Sequence, residues 1–254
     1  MTTYTDLSKN GKPNEIILPI AFQDITTSTN YFKTIEDRNP FIRKIYCNLT
    51  FMWAIITITC YGFMYNNTLN KFANTNDAYL IFILSALTLV ISVLMSVCSE
   101  QLIRRSPYDY IILSIYTLSE AYILGYTCAF QNSKAVFLAA ITTLIITVSM
   151  SIFACQTTYD CTGMGGFLFA SLSGIICINI VNLFVKSNSL NLWAACGSVI
   201  LFTMYIVYDT QLIIGGNHHR YKYSIDDHVF ATITLHLDMV NLFLNLLQLF
   251  SNND

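Results

Sequence analysis

Charged side chains are scarce in this sequence: Asp, Glu, Lys and Arg make up 11% of its 254 residues, where an ordinary soluble domain carries about 25%. Hydrophobic residues make up 54%, so the deficit excludes such a domain and points to the bilayer. A formal net charge of −2 offers no basic excess to attract nucleic acid. The first forty residues contain no long apolar run, and no cleavable signal peptide is expected. The eight cysteines fall at no metal-ligand spacing and read as small apolar packing residues. Cys155 and Cys161 bracket a loop expected on the reducing side, where a structural disulfide is not expected. No glycine cluster is followed by the basic or hydroxyl partner of a phosphate loop, so Gly163, Gly165, Gly166 and Gly174 read as sites of close helix packing. The polar loop Gln156 to Asp160 sets no nucleophile beside a base. His218, His219 and His228 belong to or abut one loop and read as solvated, which leaves His236 as the one histidine clearly within a span. An enzyme is not expected.

What the chain does contain is apolar runs of about 20 residues, the length that crosses a ~30 Å hydrocarbon core as a helix. Seven lie near Ile45 to Tyr65, Tyr79 to Cys98, Tyr110 to Phe130, Ala135 to Cys155, Gly165 to Val185, Leu192 to Ile214 and Val229 to Phe250. The expected fold is an all-α membrane protein: a seven-helix domain over residues 41–254 behind a flexible polar tail, residues 1–40, rich in Thr, Asn, Lys and Asp. The seventh run carries His236, Asp238, Asn241, Asn245 and Gln248, so it is expected to be packed centrally by protein.

Short loops allow orientation to be read from basic residues. Lys9, Lys12, Lys33, Arg38, Arg43, Lys44, Arg104, Arg105, Arg220 and Lys222 fall on one side, and only Lys71, Lys134 and Lys186 on the other. That asymmetry puts the N-terminus in the cytosol. The sequon Asn66-Asn67-Thr68 then lies on the far side, too close to the membrane for use to be expected.

Two of the last spans each carry an aspartate, Asp209 in Tyr208-Asp209-Thr210-Gln211-Leu212 and Asp238 in Leu237-Asp238-Met239-Val240-Asn241. An ionised, unpaired carboxylate within a span costs roughly 2.5–3.5 kcal/mol on insertion scales, so such groups face the bundle interior and find partners. Counting rise along each helix puts Asp209 ~7 Å and Asp238 ~13 Å from the same face of the membrane. Antiparallel neighbours at those depths can meet. Two carboxylates in one dry site cannot both ionise cheaply, so a shared proton makes the pair a pH sensor and gate. Fully ionised, their oxygens suit transient Ca²⁺. Arg104 or Arg105, at the end of the second span, is the natural countercharge, and Glu120, Asn241 and Tyr208 are candidate pathway groups.

Several stretches, in order, resemble the Lifeguard branch of the transmembrane Bax-inhibitor-motif family. They are Phe41-Ile42-Arg43-Lys44-Ile45-Tyr46, Arg104-Arg105-Ser106-Pro107, Tyr116-Thr117-Leu118-Ser119-Glu120, and Gln156 to Asp160 with Gly163-Met164-Gly165-Gly166. Tyr208 to Leu212 and Leu237 to Phe243 complete the series. The resemblance implies seven helices with a polar last helix wrapped by the other six. It also implies a pH-sensitive Ca²⁺ leak of endoplasmic-reticulum, Golgi or related membranes, and suppression of apoptosis. It places the pore-closing aspartates on Asp209 and Asp238 and their arginine on Arg104 or Arg105. Asp109 departs from the branch, whose members usually carry asparagine there.

No cofactor is expected beyond Ca²⁺ as the permeant ion; the expected partners are membrane lipids and Ca²⁺, with apoptosis regulators or Ca²⁺-release channels implied by the resemblance. Two readings compete with the leak. One is a non-conducting membrane interaction protein regulating cell death, and the other is a seven-span zinc hydrolase using the histidines and aspartates.

Overall fold

The computed structural model describes residues 38–98, 107–215, 223–224 and 227–251. The expectations for residues 1–37, Arg104, Arg105, His218 and His219 lie outside these. The described helices are α1 (Asn39–Tyr65), α2 (Asn67–Ala73), α3 (Asn76–Cys98), α4 (Tyr108–Ala129), α5 (Ser133–Gln156), α6 (Gly165–Val185), α7 (Asn188–Ile214) and α8 (His228–Ser251), with a 3-10 turn at Thr162–Met164. All but α2 are long and apolar enough to cross a membrane. The protein is an all-α, multi-pass membrane protein.

α1 begins at Asn39, six residues ahead of the expected span. Pro40 sits in its first turn, where proline's fixed φ suits a helix and its missing N–H costs nothing. The side chain of Asn66 accepts from the backbone N–H of Thr68 at 2.9 Å and caps α2. The oxygen of the sequon's asparagine therefore already serves the turn between α1 and α2.

α8 is the hub. It packs against α1, α3, α4, α5 and α7, and 61% of its most apolar window is buried, against 11% for α3 and for the span that contains α6. Leu235, Leu242 and Leu246 of α8 enter one continuous core with Ile45 and Ile56 of α1, Leu124 of α4 and Ile206 of α7. The outer helices turn apolar side chains outward: Leu80, Leu84 and Leu87 of α3 and Phe184 of α6 are exposed, as a face against lipid tails requires.

Lipid gives little hydrophobic drive for helix association, so close packing must hold the bundle together. At the contact of α1 with α4, a Cβ on Gly125 would sit 2.9 Å from Phe63 Cδ2 and 3.0 Å from Thr59 Cγ2. Of the four glycines read as packing sites, only Gly165 is one: its Cβ would lie 2.8 Å from the Tyr208 hydroxyl, whereas Gly163, Gly166 and Gly174 face open space. Cys155 and Cys161 are free thiols.

Candidate functional site

Asp209 stands five residues before the end of α7, and Asp238 ten residues into α8. Both are buried, 6% and 7% exposed. Their carboxyl groups lie within hydrogen-bonding reach of each other, and the hydroxyls of Thr234 and Tyr223 reach Asp209. Those two hydroxyls are 3.3 Å apart. Burial first, and the nearby Asp209 carboxyl second, hold the Tyr223 phenol well above its ordinary range, so it remains protonated. Oδ2 of Asp238 is buried and accepts no hydrogen bond from a donor among the described residues. A contact between two carboxyls closes only when one of them carries a proton.

The helix end that carries Asp209 is fixed from two sides. Arg38 is buried, 3% exposed. It donates from Nε to the Ile213 carbonyl at 2.7 Å and from Nη2 to the carbonyls of Leu212 at 2.7 Å and Tyr223 at 3.3 Å. The carbonyls of Leu212 and Ile213 are among the last four of α7, which have no partner within the helix and bear its partial negative charge. Burial lowers Arg38 to about 10, so it stays charged at neutral pH. Gly215 follows with φ +60, and a Cβ there would overlap the guanidinium. On the other side, the fully buried Gln211 accepts from the Cys161 N–H at 2.7 Å and donates to the Tyr159 carbonyl at 2.9 Å. That ties the loop between α5 and α6 to α7.

A cavity of about 690 Å³ opens between α6, α7 and α8, lined by both aspartates, Tyr208 and Asn241. Asn179, Ser198 and Asn245 extend its polar lining. Asn241 binds its own helix through Nδ2, at 2.8 Å from the Leu237 carbonyl.

Glu120 is placed elsewhere. It is buried on α4 and does not line the cavity. Nearby on α4, the Tyr116 hydroxyl lies 3.0 Å from Nδ1 of His236. His236 and Asp238 are two residues apart, about 200° around a helix of 3.6 residues per turn. Neither Tyr116 nor His236 lines the cavity.

His228 is not a solvated loop residue. It is buried at the start of α8, with Nε2 3.4 Å from Oδ2 of Asp109, whose Oδ1 accepts from the Tyr110 N–H at 2.8 Å. Its partner comes from 119 positions earlier in the chain, which hid the contact. No three His, Cys, Asp or Glu side chains converge as a metal set among the described residues. Sequence reasoning also missed Arg38, Gln211, Tyr223 and Thr234. The only signal for Arg38 was a basic residue just ahead of Pro40, and it did not separate Arg38 from Arg43 or Lys44.

Comparison with known proteins supplies the family. Residues 38–254 match the family described as Inhibitor of apoptosis-promoting Bax1. The chain is 31% identical over 221 residues to Protein LIFEGUARD 4 of Arabidopsis thaliana, with 85% of each chain covered. It is 30% identical over 227 residues to Protein lifeguard 3 of Mus musculus, covering 85% of this chain and 70% of that one. Protein lifeguard 3 of Homo sapiens is 28% identical over 222 residues, with coverage of 85% and 70%. With nearly the whole membrane domain matched, this chain belongs to the Bax-inhibitor family, on its Lifeguard branch.

Proposed function

We propose that this protein is a pH-sensitive, Ca²⁺-permeable leak of endoplasmic-reticulum or Golgi membranes, with its N-terminus in the cytosol, that lowers store Ca²⁺ and inhibits apoptosis. The observation that carries the reading is the approach of Asp209 and Asp238 inside the bundle, beside a cavity whose lining includes no Lys or Arg among the described residues. A proton shared by the two carboxyls draws α7 and α8 together. Its loss leaves two negative charges in a water-poor site, where repulsion is several times stronger than in water. Those charges push α8 away or recruit a hard cation through their oxygens. From Asp238 the lining runs through Asn241 to Asn245, seven residues or ~10 Å of helix rise toward the far face. Asn241 and Tyr208 then belong to the pathway, and Arg104 or Arg105 supplies the countercharge of the closed state. Relatives named lifeguard, and a family described by inhibition of apoptosis-promoting Bax1, support the link to cell death.

The test is Ca²⁺ flux through the full chain in proteoliposomes at pH 6 and pH 8. Flux is expected to be higher at pH 8, and Asp209→Asn and Asp238→Asn to flatten the difference. Unchanged flux and an unchanged pH response in both variants would falsify the gate. A wild-type chain that passes no Ca²⁺ would favour the non-conducting interaction protein.

A further inference from the structure

We propose that the cleft between α6, α7 and α8 binds an amphiphilic amine: one hydrocarbon chain along the helices, with an ammonium head seated on Asp209 and Asp238. A cavity of about 690 Å³ falls within the ~300–1,000 Å³ of small-molecule sites. Its walls are set by Leu172 and Ile176 of α6, Phe202 of α7 and Leu237 of α8, while both carboxyls and Tyr205, Tyr208 and Tyr223 also line it. The site is thus apolar over much of its lining and anionic at one place.

Three features select the head group. Asp238 lines the cavity, its buried Oδ2 receives no donor among the described residues, and an ammonium brings up to three donors. No Lys or Arg lines the cavity among the described residues, so a ligand's positive charge meets no like charge from them, and an anionic head would face the carboxyls. Tyrosine rings present their faces favourably to cations within about 6 Å, which adds to the preference for ammonium over hydroxyl.

Entry is lateral. α6 packs chiefly on α7 and the 3-10 turn, and its wall residues Ile176 and Asn179 are exposed. A chain dissolved in the bilayer reaches the cleft without crossing water. The ammonium replaces the shared proton as the positive charge between the carboxyls. This binding rests on the cavity and its carboxyls and not on conduction: a chain that passes no Ca²⁺ still takes the amine.

The test uses the full chain in phosphatidylcholine nanodiscs with dodecylamine, dodecanol or dodecanoate, read by native mass spectrometry after subtracting uptake by empty nanodiscs. One dodecylamine per chain is expected, at least tenfold tighter than either of the others. Asp238→Asn is expected to weaken it about tenfold, equivalent to ~1.4 kcal/mol. Ile176→Trp, which fills the cleft from its exposed wall, is expected to abolish it, and carries the test if Asp238→Asn does not assemble. Equal retention of amine and alcohol, or amine binding untouched by either substitution, overturns the proposal. A lipid-derived base and a free amphiphilic amine share this chemistry, and the mass of any species that co-purifies with the protein tells them apart.

Discussion

Arg38 and Ile213 are 175 positions apart in the chain, yet the guanidinium Nε of one lies 2.7 Å from the carbonyl oxygen of the other. The entry to the first span is thereby fastened to the end of the helix that carries Asp209. Removing the guanidinium with Arg38→Met leaves two terminal carbonyls of α7 without their charged donor. The expected loss is about 2–3 kcal/mol, read as a lower thermal unfolding temperature in detergent, with Arg38→Lys recovering part of it.

The same residue also makes a statement about pH. With Arg38 lowered to about 10 in the folded chain from an ordinary 12.5, the unfolded chain binds its proton more tightly only between those values. Stability from this group therefore rises with pH in that window and is flat below it. The loss in Arg38→Met should be equal at pH 6 and pH 8; a loss that changes across that interval would refute this assignment.

Asp109 and His228 join the first turn of α4 to the start of α8 at 3.4 Å. A double-mutant cycle with Asp109→Ala and His228→Ala should give a coupling energy of about 0.5–3 kcal/mol. Unfolding of the wild-type chain, both single variants and the double variant in detergent measures it, and single losses that simply add would refute the contact.

Neighbouring glycines at the start of α6 should respond in opposite directions. Gly165→Ala places a methyl 2.8 Å from the Tyr208 hydroxyl, and the side chain must move away from the loop or the strain remains, at a cost of about 1–3 kcal/mol. Gly166→Ala meets open space and should stabilise by about 0.4–1 kcal/mol by restricting the unfolded chain. Thermal unfolding of the two variants side by side decides the matter.

Tyr116→Phe removes the hydroxyl that lies 3.0 Å from Nδ1 of the fully buried His236. The imidazole nitrogen is then left without that partner, at an expected cost of about 1–3 kcal/mol. Because neither residue lines the Asp209–Asp238 cavity, the pH response of Ca²⁺ flux should survive the substitution, which a flux assay on the variant checks directly.

The seven spans were legible because a helix that crosses lipid needs a long apolar run, and that signal is local. The polar residues His236, Asp238, Asn241 and Asn245 likewise marked α8 as a helix to be wrapped by others. Partners were harder. His228 looked like a loop residue because Asp109, which it meets, lies on another span. Arg38 looked like one more basic residue of the tail because the carbonyls it caps are backbone groups, which carry no sequence signature. Nor could spacing separate Gly165 from Gly166: one faces a tyrosine and the next faces nothing, a distinction set by the azimuth of α6 against α7.

The central place of α8 bears on how the molecule is made. This helix follows the other six spans in chain order, so they must first stand in the bilayer around an unfilled groove, with the Tyr116 hydroxyl of α4 turned toward it. A chain cut short before His228 would keep six greasy segments yet lack the plug that covers that hydroxyl. Such a fragment should be inserted normally and then be removed by quality control, so that late nonsense changes abolish the protein rather than trim it.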